Sequence, residues 1–289
     1  MEHFHCISLL TYNVNFGTFY TTSEPSLQAH MALEAIMKAG ADVVLLQETN
    51  EGWESFFRQN LKEEYPHQVW HAPTHWLAAG SAVLVRRGWK LDVDILPTGV
   101  DGSHFDQMIA TVQNLSDSQR PGPAVRLVNV HLRPPLAMGD ENGIWANVKA
   151  YMGSSTIHRL ELESLLARCR DLDKAEQREC PIVVAGDFNE GGHWQAGRML
   201  REMGLVDVLD TQRNKTTWHW PLPIGRLTGS YDHIFFDKRC TLEEGLVMTE
   251  YEEASDHVPV LARLTMHQPA SPTDTPTIGG SSHRFASSS

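Results

Sequence analysis

The sequence predicts an α/β fold in which two β-sheets pack against each other and carry helices on their outer faces. Three observations predict it. Apolar runs of strand length recur along most of the chain, separated by Gly, Pro or Asp. Between them lie segments whose apolar residues repeat at helical spacing. One run, Asp42-Val43-Val44-Leu45-Leu46, shows no polar alternation, which implies burial on both faces beneath helices or another sheet.

Taken in order, residues 7–14 read as the first strand. Residues 26–39 carry Leu27, Met31, Leu33, Ile36 and Met37 at helical spacing, and Gly40 supplies the stop. After the strand at 42–46, strand-like runs at 81–85, 91–96, 107–113 and 125–132 make the middle of the chain an antiparallel sheet. A long helical pattern covers residues 156–177, with Leu160, Leu162, Leu165 and Leu166 on or near one face. Residues 181–185 form another short strand, residues 193–203 a helix ended by Gly204, and residues 216–229 a loop rich in Trp and Pro. The last strands are expected at 230–236 and 258–264. From residue 267 the chain is rich in Ser, Pro and Thr, with too little apolar surface to offset its ordering entropy. Residues 1–266 are therefore read as one domain and 267–289 as a disordered tail.

Hydrophobic residues at 41%, including eight tryptophans, provide for a sizeable core. The formal charge of -12 disfavours non-specific duplex-DNA binding, which relies on many Lys and Arg contacts to phosphate. An acidic site that accepts phosphate also needs a cation of its own. Cys6, Cys169, Cys180 and Cys240 form no CxxC pair and no zinc-ligand spacing, so they are read as free thiols. The apolar N-terminal segment is too short for a signal peptide and lacks a basic leader, and no stretch approaches membrane-spanning length. The expectation is a cytoplasmic monomer with no stable membrane insertion.

Chemistry-bearing residues recur at strand ends. Asn13 closes the first strand, Gln47-Glu48 the second, His131 the run at 125–132, and Gly186-Asp187-Phe188-Asn189 the run at 181–185. Asp232 opens a later strand, and Ser255-Asp256-His257 precedes the last. Strand ends of one sheet converge, so these residues are candidates for one site. Singly, each has a structural reading: Asn13 as a turn cap, Glu48 at a helix N-terminus, Asp187 to Asn189 as an Asx turn, His131 as a buried structural histidine.

As an ordered set, they resemble the endonuclease/exonuclease/phosphatase superfamily, which spans DNase I-like nucleases, sphingomyelinases and inositol phosphatases. The resemblance runs from about Ile7 to Leu264. It implies a four-layer α/β sandwich, two mixed sheets face to face with helices outside, and one cleft along the strand edges. By motif, Glu48 would be the main metal carboxylate, with Asn13 and Asp256 near the same ion. Asp187 would deprotonate the attacking water, Asn189 would hold a phosphate oxygen, and His257, fixed by Asp232, would hydrogen-bond the phosphoryl group. His131 matches the second histidine of the DNase I and sphingomyelinase branches. The implied activity is phosphoester hydrolysis by water, with nucleic acid or a nucleotide-like ester among the substrates. The alternatives are a lipid or small-molecule phosphoester, or a non-catalytic binding module.

Elementary chemistry points the same way. A phosphoester anion repels hydroxide, so a cation must offset the charge that builds up, and hard oxygen ligands suit Mg²⁺ or Mn²⁺ rather than zinc. An aspartate beside a histidine raises its pKa and keeps a donor available near neutral pH. No carboxylate partner for His131 of the DNase I kind is recognisable, which weighs against a secreted nuclease. His233 reads as a packing or rim residue. Arg133, two residues after His131, would share its face in a strand and suit phosphate. Trp145 in the 134–153 loop and Trp218, His219 and Trp220 in the 216–229 loop are the candidate substrate-contacting aromatics, with local packing as the other reading.

Overall fold

The computed structural model describes residues 5–19, 24–97, 99, 104–117, 121–134 and 144–267, the side chains of 144–155 excepted. Two six-stranded mixed sheets carry the fold. The first contains β1 (His5–Asn13), β2 (Val43–Gln47), β3 (His67–His71), β4 (Ser81–Val85), β13 (Cys240–Val247) and β14 (Val260–Met266), in the order β13-β14-β1-β2-β4-β3. The second contains β5 (Trp89–Leu96), β6 (Gln107–Asn114), β7 (Ala124–His131), β8 (Ile182–Asp187), β9 (Val206–Asp207) and β12 (Asp232–Phe236), in the order β5-β6-β7-β8-β12-β9. Strands β10 (Trp218–Pro221) and β11 (Arg226–Gly229) form a separate ribbon.

Alternation along β2 explains its uninterrupted apolar run. Val43 and Leu45 face the other sheet with Val83, Leu127 and Val183. Val44 and Leu46 face outward into a second core built by α1 (Leu27–Ala39) and α2 (Glu51–Leu61), including Ile36, Trp53 and Phe57. On the far side, Val128, Val184 and Phe235 pack under Leu162, Leu165 and Leu166 of α3 (Ile144–Glu176) and Leu200 of α4 (Gln195–Glu202). Helix, sheet, sheet and helix are thus stacked as four layers, and each sheet is buried on both faces.

Several expectations are revised. Helix α3 begins at Ile144, twelve residues before the sequence periodicity starts, because Gly153, Ser154 and Ser155 interrupt the apolar pattern without stopping the helix. Residues 216–229 contain the β10–β11 ribbon rather than a loop, since Pro221 ends β10 and Pro223 lies in the turn, where no ladder bond is needed. Helix α2 and strands β3, β9 and β13 were not anticipated; β13 is an edge strand with a bulge between Leu242 and Glu244, and its glutamates hide the strand pattern. The tail at 268–289 lies outside the described residues. Among the described residues no helix is long and apolar enough to cross a membrane.

The arrangement that matters for chemistry is the pair of parallel ladders, β1–β2 and β7–β8. Their C-terminal ends meet at one edge of the sandwich. Between the sheets, below that edge, Gln47 Nε2 donates to Asn129 Oδ1 at 2.7 Å, and Asn129 Nδ2 donates to the carbonyls of Leu46 and Ala82 at 3.1 and 3.2 Å.

Candidate active site

The strand ends build the site as follows. Asn13, the last residue of β1, donates from Nδ2 to Glu48 Oε1 and to Asp187 Oδ2, both at 3.1 Å. Its amide therefore ties two carboxylates from different sheets, while its Oδ1 accepts from Asn15 N at 3.1 Å. Glu48 follows β2 in a left-handed backbone conformation, φ 56°. Gly186, φ 146°, lets Asp187 end β8 against β7, where a Cβ would sit 1.9 Å from the Val130 carbonyl oxygen.

Asp187 Oδ1 accepts from Asn189 N at 2.8 Å, an Asx turn that fixes the carboxylate. Asn189 Nδ2 donates to the Leu132 carbonyl at 2.9 Å and retains a second hydrogen. His257 Nδ1 donates to Asp232 Oδ2 at 2.8 Å, and its Nε2 lies 3.7 Å from Asp187 Oδ2. Asp232 is held by its own backbone, whose N–H donates to Thr217 Oγ1 at 2.9 Å. Asn15 Nδ2 donates to Asp256 Oδ1 at 2.7 Å. His131 Nε2 lies 3.9 Å from Glu48 Oε1 and 3.8 Å from Asp187 Oδ2, carboxylate neighbours that come from β2 and β8 and so leave no local sequence signal.

These groups bias one another. Burial pushes the Glu48 carboxyl up to about 7 and raises that of Asp187. Burial pushes the His131 imidazole down to about 3, helped by the charge of His257. Burial also opposes charge on His257, but Asp232 and Asp187 outweigh it and hold the imidazole well above its ordinary range. At neutral pH His131 is thus a neutral imidazole beside a cationic His257.

Glu48, His131, Asp187, Asn189, Asp256, His257 and Trp218 all line one cleft of about 760 Å³, with Asn13 and Asp232 buried beneath it. Arg133 is not among the lining residues: β7 ends at His131, so the alternation that would have placed both on one face no longer applies. Trp145 belongs to the first turn of α3, and its side chain lies outside the described residues. His233 is buried, with Nδ1 donating to Asp207 Oδ2 at 2.8 Å, and packs behind the site. Sequence reasoning missed Asn15, Trp76, Phe105, Leu222 and Leu227, while Trp220 lines the cleft together with Trp218. Only Asn15 carried a signal, its placement two residues after Asn13.

The sequence profile of the Endonuclease/Exonuclease/phosphatase family matches residues 10–257. The chain belongs to this family. Members of the endonuclease/exonuclease/phosphatase family are hydrolases acting on phosphate esters. Among solved structures, the chain is similar to an endonuclease/exonuclease/phosphatase from Bacteroides vulgatus, at 18% identity and a TM-score of 0.65, over 91% of this chain and 100% of that one. It is also similar to the human Nocturnin catalytic domain, at 14% identity and a TM-score of 0.64, over 92% and 96%. TDP2 from C. elegans aligns at 14% identity and a TM-score of 0.60, over 90% and 75%. These identities show a shared fold. No curated protein matches the chain.

The residues present fit a hard divalent cation. Ligand atoms of Glu48, His131 and Asp187 lie within 4.8 Å of one another. Asp232 Oδ1 and His131 Nδ1 are buried without a hydrogen-bond partner among the described residues. The described cleft lining includes three carboxylates and no Lys or Arg. Oxygen-rich, cation-poor surroundings of this kind suit Mg²⁺ or Mn²⁺.

Proposed function

We propose that the protein hydrolyses a phosphate ester by direct attack of water, with a divalent metal as cofactor. The observation that carries this reading is Asn13 bridging Glu48 and Asp187 beside the Asp232–His257 pair, all within or beneath one cleft. A non-catalytic module has no need to bury this many ionisable groups against one another.

Asp187 Oδ2 takes a proton from water as the water oxygen bonds to phosphorus. The raised pKa of Asp187 strengthens it as a base. Charge then grows on the phosphoryl oxygens, where His257 Nε2–H donates, kept protonated by Asp232. The second Nδ2 hydrogen of Asn189 would contact a phosphoryl oxygen. Glu48, with Asp256 and Asn13 nearby, would hold a divalent metal, Mg²⁺ or Mn²⁺ by the character of the donors, which would supply further charge stabilisation. The ester oxygen leaves with the electron pair of the broken P–O bond. Nucleic acid is one source of such esters, and TDP2 from D. rerio was solved with a single strand DNA product.

The test is turnover of a p-nitrophenyl phosphodiester. Asp187→Asn lowers kcat by about 10²- to 10⁴-fold with a small change in KM, and excess EDTA abolishes turnover until Mg²⁺ or Mn²⁺ is restored. Full activity in chelator, or near-normal turnover by Asp187→Asn, overturns the reading.

A further inference from the structure

We infer that the cleft is built for an ester carrying one phosphate and a hydrocarbon group, with the β10–β11 ribbon as the hydrocarbon-binding wall. This rests on the phosphoesterase reading above and deepens it.

The first argument is segregation. The acids, imidazoles and amides of the cleft cluster at the phosphoryl end. The ribbon contributes Trp218, Trp220, Leu222 and Leu227 to the lining, and Trp76 and Phe105 add to the apolar side. Beyond the phosphoryl end, the polar side-chain groups of the described lining are indole N–H groups and the Tyr231 hydroxyl. Reading a nucleobase needs donors and acceptors matched to its edge. The rings also pack on one another: Trp218 lies 5.1 Å from Tyr231, and Phe105 stacks on His131 at 4.3 Å.

The second argument is charge. No Lys or Arg lines the cleft among the described residues, while Glu48, Asp187 and Asp256 do. One phosphate is served by the catalytic groups. Each additional phosphate of a polynucleotide or polyphosphate meets acidic surroundings and a chain of net charge -12.

The third argument is continuity. Leu222, Trp220, Leu227 and Ile224 are 42, 51, 52 and 93% exposed within residues 220–227. Single exposed leucines are ordinary, but a contiguous apolar strip on one ribbon marks a binding surface. Trp220, Leu222 and Leu227 line the cleft, and Ile224 sits in the turn of the same ribbon, between β10 and β11. Its position is fixed relative to the chemistry: His219 N donates to the Asp256 carbonyl at 2.9 Å and Val258 N to the Thr217 carbonyl at 2.7 Å, on either side of His257.

The test uses methyl, butyl and octyl p-nitrophenyl phosphate, diesters of equal charge with one leaving group, beside thymidine 5′-p-nitrophenyl phosphate. In each, water bonds to phosphorus, the bond to the aryl oxygen breaks, p-nitrophenolate departs, and the proton passes through Asp187 to solvent. Burying one methylene is worth up to about fourfold, so kcat/KM rises at least about tenfold from methyl to octyl, and the octyl ester exceeds the thymidyl ester. Octyl phosphate inhibits more strongly than methyl phosphate, a readout independent of turnover. The double variant Leu222→Ser/Leu227→Ser lowers the octyl-to-methyl ratio toward one at an unchanged melting temperature, and Leu27→Ser, exposed on α1, leaves the ratio as it was. A flat series or a preference for the thymidyl ester overturns this inference and spares the phosphoesterase reading. No turnover of any diester overturns both.

Discussion

Glu48 combines a functional carboxylate with an unfavourable backbone. A left-handed conformation costs a non-glycine residue about 1–2 kcal/mol, and Glu48 also places charge beside Asp187 in partly desolvated surroundings. Such strain persists only where neighbours over-determine it, here the Thr49 N–H donating to the Gly80 carbonyl at 3.0 Å and the Val14 N–H donating to the Gln47 carbonyl at 3.1 Å. Glu48→Gly therefore gains about 1 kcal/mol of stability in thermal melts while losing metal-dependent turnover; a lower melting temperature would show that the side chain holds the fold. At this scale the sequence was informative wherever a motif ended a strand, as with Asn13 and Asp187, or preceded one, as with His257. Trp76 and Phe105 were silent because nothing local distinguishes an aromatic that lines a cleft from one that fills a core.

Helices α3 and α4 act on the site through the chain segment after β7. His158 on α3 bonds Glu190 Oε2 through Nδ1 at 2.8 Å and the Arg133 carbonyl through Nε2 at 2.6 Å. Both partners are acceptors, so both ring nitrogens carry hydrogen and the ring is an imidazolium. Glu190 Oε1 in turn accepts from Ala196 N at the start of α4, and Glu161 Oε2 accepts from Arg133 N at 3.3 Å. Burial opposes the charge on His158, but Glu190 outweighs it and raises the pKa. A pKa raised on folding contributes stability in full below the ordinary imidazole value of about 6.5 and loses it as pH rises through the folded value. His158→Gln should therefore cost about 2 kcal/mol at mildly acidic pH, and the gap in melting temperature from wild type should narrow at alkaline pH. A gap independent of pH would show that the pair is neutral. The ribbon is the element least visible beforehand, because two short strands with prolines at the end of the first and in the turn read as a loop until they pair.

On the scale of the whole molecule, the four layers were legible because β2 admits no solvent-facing side, and the family motifs fell in order along it. The lengths of edge elements were not, since charged outward positions on β13 and small residues in α3 conceal regular structure. The inter-sheet bridge of Gln47 and Asn129 could not be read either, because a buried amide is recognisable only through its partner. That bridge acts as a rivet between two half-sites. Asn13 ends a strand of one sheet, with Glu48 just after its strand β2 and Asp256–His257 just before its strand β14, while His131, Asp187 and Asp232 belong to the other. Neither half holds both the proposed base and the proposed metal carboxylate, so the proposed chemistry would serve as a gauge of the gap between the sheets. In urea, turnover and tryptophan fluorescence should fall over the same range, and activity vanishing well before fluorescence would mean that the site frays on its own. No single-sheet fragment inherits residual activity, and any transplant of this centre into another scaffold must carry the spacing between two sheets along with the side chains.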